Sequence, residues 1–173
     1  MNETIKTILE RRSVRKFTDQ PIAEEALACL VEAAMHAPSG HGYKTWKFTV
    51  VTNREWIAKL AEVIRVRLGR EGYDMYRPAA IIIPSNKRDS MHGKEDDACA
   101  LQNIFLAAHS LGIGSVWINQ LQGICDEPEI RAVLRGLHIP EDHVVYGLAA
   151  LGYADPDTPV RPYRKIGEIE YIR

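Results

Sequence analysis

Nothing in the sequence is long and apolar enough for a membrane-spanning helix: no hydrophobic run approaches the ~20 residues that a bilayer requires. Cysteine is scarce. Cys29, Cys99 and Cys125 are an odd set without a C-x-x-C pair, which fits free thiols in a reducing compartment. No G-x-G-x-x-G follows a strand pattern and no G-x-S-x-G is present, so neither a dinucleotide fingerprint nor a nucleophile elbow is on offer. Internal repeats and low-complexity tracts are missing too. The formal net charge is −1, too balanced for a general attraction to nucleic acid. Asn2, Glu3 and Thr4 make a polar start that does not read as a signal peptide. Together these absences predict a cytoplasmic protein without a membrane or nucleic-acid partner and without a resident metal.

What is present is ordinary globular composition, 46% hydrophobic and 26% charged, over 173 residues. That length predicts one domain, 1–173, with a sizeable core. Apolar spacing predicts helices over 2–11 (Asn2 as N-cap, Ile5, Ile8 and Leu9 on one face), 23–36, 54–68 (Trp56, Leu60, Val63, Arg67) and 95–111. In the last of these Ala98, Leu101, Phe105, Ala108 and Leu111 face inward and Gly112 is the stop. A further helix begins at Asp126 with Pro128 in its first turn. Strands are expected at "WKFTVV", at "AAIII" (ended by Pro84), at "IGSVWI" and at "HVVYGLAAL". "SNKRDSMHGKEDD" reads as an exposed loop. The alternation of helices and strands predicts an α/β or α+β layered domain. The end of the chain, 153–173, has three prolines and no helical period. It reads as an arm that packs on something else.

Two short stretches carry chemistry. "RRSVRKF" places Arg11, Arg12, Arg15 and Lys16 around Ser13. In an extended segment Arg11, Ser13 and Arg15 project from one side, about 7 Å between successive members. Guanidinium groups grip phosphate oxygens in pairs and a serine hydroxyl adds a bond. Arg161, Arg164 and Lys165 form a second basic cluster on the arm, which could meet the same phosphate. The alternative, solvated surface charge at both places, stays open on the residues alone. "APSGHGYKTWKF" puts Ser39, Gly40 and Gly42 in a loop between a helix and a strand, where glycine allows close backbone approach to a planar ligand. An ordinary turn is the competing explanation. "HIPEDH" is broken by Pro140 and lacks a third ligand, so it is a poor zinc site; "KEDDAC" suits a charged helix start.

In order and spacing these stretches resemble the nitroreductase family of FMN-dependent flavoproteins. "DDACALQNIFLAAHSLGIGSVWIN" is similar to its central helix and following strand, and "GLAALGYADPDTPVRPYRKIGEI" to its closing strand and basic tail. The likeness covers essentially the whole chain. It implies an α+β three-layer sandwich, a central antiparallel sheet flanked by helices, in an obligate homodimer with two FMN at the interface. The arm 153–173 would cross to the other subunit. It further implies that Arg11 and Ser13, with Arg12 beside them, hold the FMN phosphate and ribityl end, and that Arg15 faces the N1/O2 edge. Pro38, Ser39, Gly40 and Gly42 would come from the partner subunit. Trp117, Ile118 and Asn119 would follow the N5 side, and Arg164 and Lys165 would complete the phosphate site.

The implied activity is ping-pong hydride transfer from NADH or NADPH through flavin N5 to a small electron-poor acceptor, a nitroaromatic or quinone. No side chain is needed as acid or base; His41, in the loop near the implied flavin, is weighed as a proton donor and read instead as a structural or surface histidine. Two other outcomes fit the same residues: different flavin chemistry on the same fold, such as dehalogenation or flavin fragmentation, and a non-catalytic flavin-binding protein. The chain departs from the family pattern at Gly42, where asparagine is usual, and at Lys44-Thr45, where Gln-Pro is usual. Lys44 is thereby a candidate contact for an anionic substrate or a nicotinamide phosphate.

Overall fold

The computed structural model describes residues 1–158 and 167–173. Five helices and five strands follow in the order α1 (Glu3–Glu10), α2 (Glu24–Met35), β1 (Trp46–Val51), α3 (Arg54–Leu68), β2 (Ala80–Lys87), α4 (Gly93–Ser110), β3 (Gly114–Ile118), α5 (Pro128–Gly136), β4 (His143–Val144) and β5 (Leu148–Gly152). The sheet runs β1-β2-β5-β3, with β4 also on β2, and every one of these pairings is antiparallel.

Strand β2 explains the layering. Alternate side chains face opposite sides of a strand. Ile81 and Ile83 enter one core with Leu60 and Ile64 of α3 and Ile130 and Leu134 of α5. Ala80 and Ile82 enter the other with Leu27 and Leu30 of α2 and Leu101 and Ile104 of α4. A strand covered on both faces reads as an unbroken apolar run. The result is the expected α+β three-layer sandwich.

Several boundaries differ from expectation. β2 continues through Pro84, which pairs with Phe48 of β1. On its other side β2 meets β5 up to Ile82 and β4 only from Asn86. A residue lacking an N–H is accommodated in that gap. "SNKRDSMHGKEDD" is therefore not one exposed loop: Ser85 and Asn86 are buried in β2, and Asp96 and Asp97 are buried in α4. "HVVYGLAAL" divides into β4 and β5. α5 starts at Pro128 with Glu127 as N-cap, and Asp126 instead bonds Arg88 and Arg131. α1 has no buried residue, so Ile5, Ile8 and Leu9 present an uncovered apolar face.

The helix ends are set by local chemistry. Asn2 accepts from the Ile5 N–H, and Asn53 from the Trp56 N–H, as N-caps. α3 closes on Gly69 in the left-handed region (φ 59°), where glycine carries no Cβ penalty. Asn53→Ala is expected to destabilise the protein by about 1 kcal/mol, the usual worth of such a cap. The melting temperature should drop by roughly 2–4 °C. Thermal unfolding by circular dichroism checks this, and an unchanged melting temperature would contradict it.

Candidate functional site

The segment after α1 leaves the helix at Arg11 (φ −52°, ψ 134°) and runs extended, as the projection of Arg11, Ser13 and Arg15 requires. It docks on the sheet. Ser13 forms a parallel bridge with Ser115 of β3, and the Val14 N–H donates to the Ser115 carbonyl at 2.9 Å. Gly114 permits this approach, because a Cβ there would stand 3.0 Å from Val14 and from the Gly152 carbonyl oxygen. Phe17 bridges Ala154, and Lys16 pairs with Asp155 at 3.0 Å, which ties the start of the arm to the same segment.

Two charges in this segment, Arg11 and Arg15, differ from most arginines elsewhere. Arg54, Arg65, Arg67, Arg88, Arg131 and Arg135 each hold a carboxylate. Among the described residues Arg11 and Arg15 pair with none. Partial burial, and then the neighbouring Arg12 charge, lower the pKa of the Arg11 guanidinium. An anion bound here would relieve both penalties. The Arg12 guanidinium donates to the carbonyls of Leu9 and Arg11, at the open end of α1.

The loop from Pro38 to Thr45 is fastened from below. Both oxygens of Asp96, in the first turn of α4, accept from it: Oδ2 from the Ser39 hydroxyl and Oδ1 from the Gly40 N–H, each at 2.8 Å. The Lys44 N–H closes back on Ser39 Oγ at 3.1 Å. Thr45 donates to Asn86 Oδ1 at 2.6 Å, and Asn86 donates to Asp97 Oδ1 at 3.0 Å. Gly40 lies flat against His92, whose ring carbons would stand 2.2 Å from an added Cβ. The Ser39 hydroxyl and Gly40 N–H are thus engaged inside the protein, while Pro38, His41, Gly42, Tyr43 and Lys44 are exposed.

Asp97 is nearly fully buried, and its Oδ2 has no hydrogen-bond partner among the described residues. Burial pushes its carboxyl up to about 7, against the pull of the Asn86 hydrogen bond and with a smaller push from the Asp96 charge. The sequence pointed past this cluster. The signal was present: Asp97 precedes Leu101 by four, Ile104 by seven and Ala108 by eleven, on the inward stripe of α4.

At the far end of β3, Trp117 packs on Phe105 (ring centroids 5.9 Å apart) with 38% of its surface open. Gly147 makes room for it, since a Cβ there would lie 2.4 Å from Trp117 Nε1. Asn119 is exposed. Ile118 is not: its side chain is in the core, so only its backbone is available to a ligand. Arg164 and Lys165 lie outside the described residues. Among those described, no three His, Cys, Asp or Glu side chains are grouped to hold a metal ion, and no helix is long and apolar enough to cross a membrane.

One chain does not bring the two stretches together. The loop is pinned at Asp96, near the start of α4. Ser13 is pinned at Ser115, just beyond the turn in which the Ile113 N–H bonds to the Ala108 carbonyl. Asp96 to Ala108 is about 18 Å along the helix, at 1.5 Å per residue.

Comparison with known proteins places the fold and its family. A sequence model of the Nitroreductase family matches residues 8–77 and 70–153. A protein of Archaeoglobus fulgidus, provisionally named NADH dehydrogenase/NAD(P)H nitroreductase, is 34% identical over 160 residues, covering 88% of this chain and 86% of its own. The NADPH-flavin oxidoreductase of Vibrio harveyi is 30% identical over 177 aligned positions, 94% of this chain and 70% of its own. The crystal structure of a nitroreductase with bound FMN from Bacteroides fragilis superposes with a TM-score of 0.95 at 39% identity, over 100% of both chains.

Proposed function

The chain belongs to the nitroreductase family, and from that premise we propose that it is a homodimeric flavoenzyme that reduces electron-poor small molecules, nitroaromatics or quinones, in a ping-pong cycle. It is an NAD(P)H-dependent oxidoreductase with FMN as its cofactor. The carrying observation is the separation of the two half-sites, the basic segment at one end of α4 and the fastened loop at the other. Each is incomplete in one chain, and a second copy would supply the missing half.

The donor set fits FMN. Arg11 and Arg15, unpaired with carboxylates, and the exposed Ser13 hydroxyl suit a phosphate at one end and an electron-rich ring edge at the other. Held there, FMN would supply the redox chemistry, two-electron hydride exchange between NAD(P)H and the acceptor. The protein's own part is positional. Arg11 and Ser13 grip the phosphate, with Arg12 bracing the turn at the end of α1. Arg15 sets charge at the N1/O2 edge. Trp117 and the Asn119 amide, with the Ile118 backbone, border the N5 side. Pro38, Ser39, Gly40 and Gly42 line the cofactor from the partner subunit, chiefly through backbone. Arg164 and Lys165 of the arm are assigned to the phosphate. No side chain is assigned a proton-transfer role.

The dimer would also cover exposed apolar groups. Ile5, Ile8 and Leu9 form one uncovered face, and near the chain end Ile169, Tyr171 and Ile172 are 65%, 73% and 95% exposed. Burying such residues is a favourable use of a partner surface.

Protein purified with added FMN should be yellow and elute at the mass of two chains. Under anaerobic conditions NADH or NADPH should bleach the flavin band, and a nitroaromatic or quinone should restore it. A colourless protein, or bound flavin that neither nucleotide reduces, would overturn the proposal.

A further inference from the structure

We propose that Asp96 is a positioning residue: by engaging Ser39 and Gly40 with both carboxylate oxygens, it holds the 38–45 loop in the one shape that binds FMN tightly. The inference rests on the reading of that loop as part of the flavin site. It adds a residue that touches no cofactor yet sets the cofactor's affinity.

The geometry of the loop calls for such a restraint. His41 (φ 53°) and Lys44 (φ 47°) sit in the left-handed region together with Gly42 (φ 68°). For residues with a Cβ this conformation is costly and persists only where the surroundings enforce it. The enforcing contacts can be traced. Asp96 takes the Ser39 hydroxyl and the Gly40 N–H, and Ser39 Oγ in turn takes the Lys44 N–H, so one carboxylate closes the turn across six residues. Thr45 is held separately, by Asn86. The His92 ring packs under Gly40 and lies 5.6 Å from the His41 ring, which stacks on Tyr43 at 5.4 Å.

Asp96 itself is well placed to hold. It is 4% exposed, and it stands in the first turn of an 18-residue helix whose N-terminal end favours a negative charge. The helix is anchored beyond it by Ala100, Leu101, Ile104 and Phe105, all buried. The loop therefore borrows the rigidity of the core. What it presents outward, His41 to Lys44, is a preformed surface. Preorganisation of this kind raises affinity by removing the ordering cost at binding. Without Asp96 the left-handed residues can relax, and FMN must reorder them.

The test measures FMN dissociation constants by flavin fluorescence in the full-length protein and in D96N, S39A and the double variant. D96N keeps the volume of the side chain but sets an NH2 donor where one of the two accepting oxygens stands, facing a loop donor. FMN affinity should fall roughly ten- to a hundredfold in D96N and similarly in S39A. The double variant should lose no more than the worse single change, because both act on one restraint. Unfolding of the flavin-free proteins should differ far less than FMN affinity does.

Unchanged FMN affinity in D96N, or losses that simply add in the double variant, would overturn the proposal. A loss of affinity matched by an equal loss of flavin-free stability would do so too, since it would make Asp96 a fold residue. If D96N does not fold, S39A alone decides: unchanged affinity there overturns the proposal. If the unaltered protein binds no FMN, the reading of the loop as a flavin site is what has failed, and that outcome is separate from the four above.

Discussion

Replacing Asp97 by asparagine is expected to remove on the order of 2–3 kcal/mol of pH dependence from the stability of this protein between pH 5 and pH 8. Burial raises the Asp97 carboxyl in the folded state from 3.8 to about 7. Between those values the folded protein keeps a proton that the unfolded chain has already released. Stability therefore falls as pH rises through this window, by up to about 1.4 kcal/mol per pH unit while the gap lasts. The orphaned Oδ2 gives the structural reason: among the described residues no donor is placed to stabilise a second negative oxygen beside Asp96.

His143 works in the opposite sense. Burial holds its imidazole below the ordinary value, so its contribution is present above about 6.5 and is lost as pH falls. It is common to both proteins and drops out of their difference. Urea unfolding of the unaltered protein and of Asp97→Asn, each at pH 5 and pH 8 with saturating FMN, supplies that difference. The unaltered protein should lose stability toward pH 8 relative to the variant. Parallel behaviour of the two would show that Asp97 is ionised in the fold and that its burial is otherwise compensated.

The parts of the fold that sequence revealed are those governed by local rules. Asn2 and Gly112 were visible as helix ends because caps and left-handed stops depend on a few neighbouring atoms. The apolar runs of β2 and β5 were visible because a doubly covered strand leaves no polar face. Where tertiary packing decides, the reading slipped. In α3 the expected stripe of Trp56, Leu60, Val63 and Arg67 lies at the margin of the one observed, Ile57, Leu60, Ala61 and Ile64, and Arg67 binds Glu127. Trp56 and Val63 reach the core only from its edge, a distinction that spacing alone does not carry.

The same division holds at the site. Residue types in "RRSVRKF" suggested an anion site, because arginine and serine chemistry is independent of fold; that role stays a proposal, with Arg11 and Arg15 free of carboxylate partners among the described residues. That Ser39 and Gly40 turn their donors inward was invisible, since their acceptor lies 56 residues or more away in sequence, in a stretch read as solvated charge. Two adjacent aspartates look like a helix start under any local rule. Only the phase of α4 against the core it shares with α2 and the sheet makes them buried.

Arg11 and Arg15 are expected to separate when each is removed. Arg11 is half-buried, beside Arg12, at the point where α1 gives way to the extended segment. If it grips the FMN phosphate, Arg11→Ala deletes a charge-assisted hydrogen bond worth about 1.5–3 kcal/mol, and FMN affinity falls roughly ten- to a hundredfold. The midpoint potential of the flavin that remains bound should scarcely change, because the phosphate is remote from the ring. Arg15 is exposed and four residues further along the same strand-like segment. A cation at the N1/O2 edge favours the reduced ring, which carries negative charge there, over the neutral oxidised ring. Arg15→Gln should therefore lower the midpoint potential and slow reduction by NAD(P)H, with a smaller loss of affinity. Flavin-release assays and spectroscopic redox titrations on both variants measure the two effects independently. Equal losses of affinity with no shift in potential would reduce the whole segment to a phosphate anchor, and the control of flavin potential would then have to come from the backbone around Trp117 and Asn119.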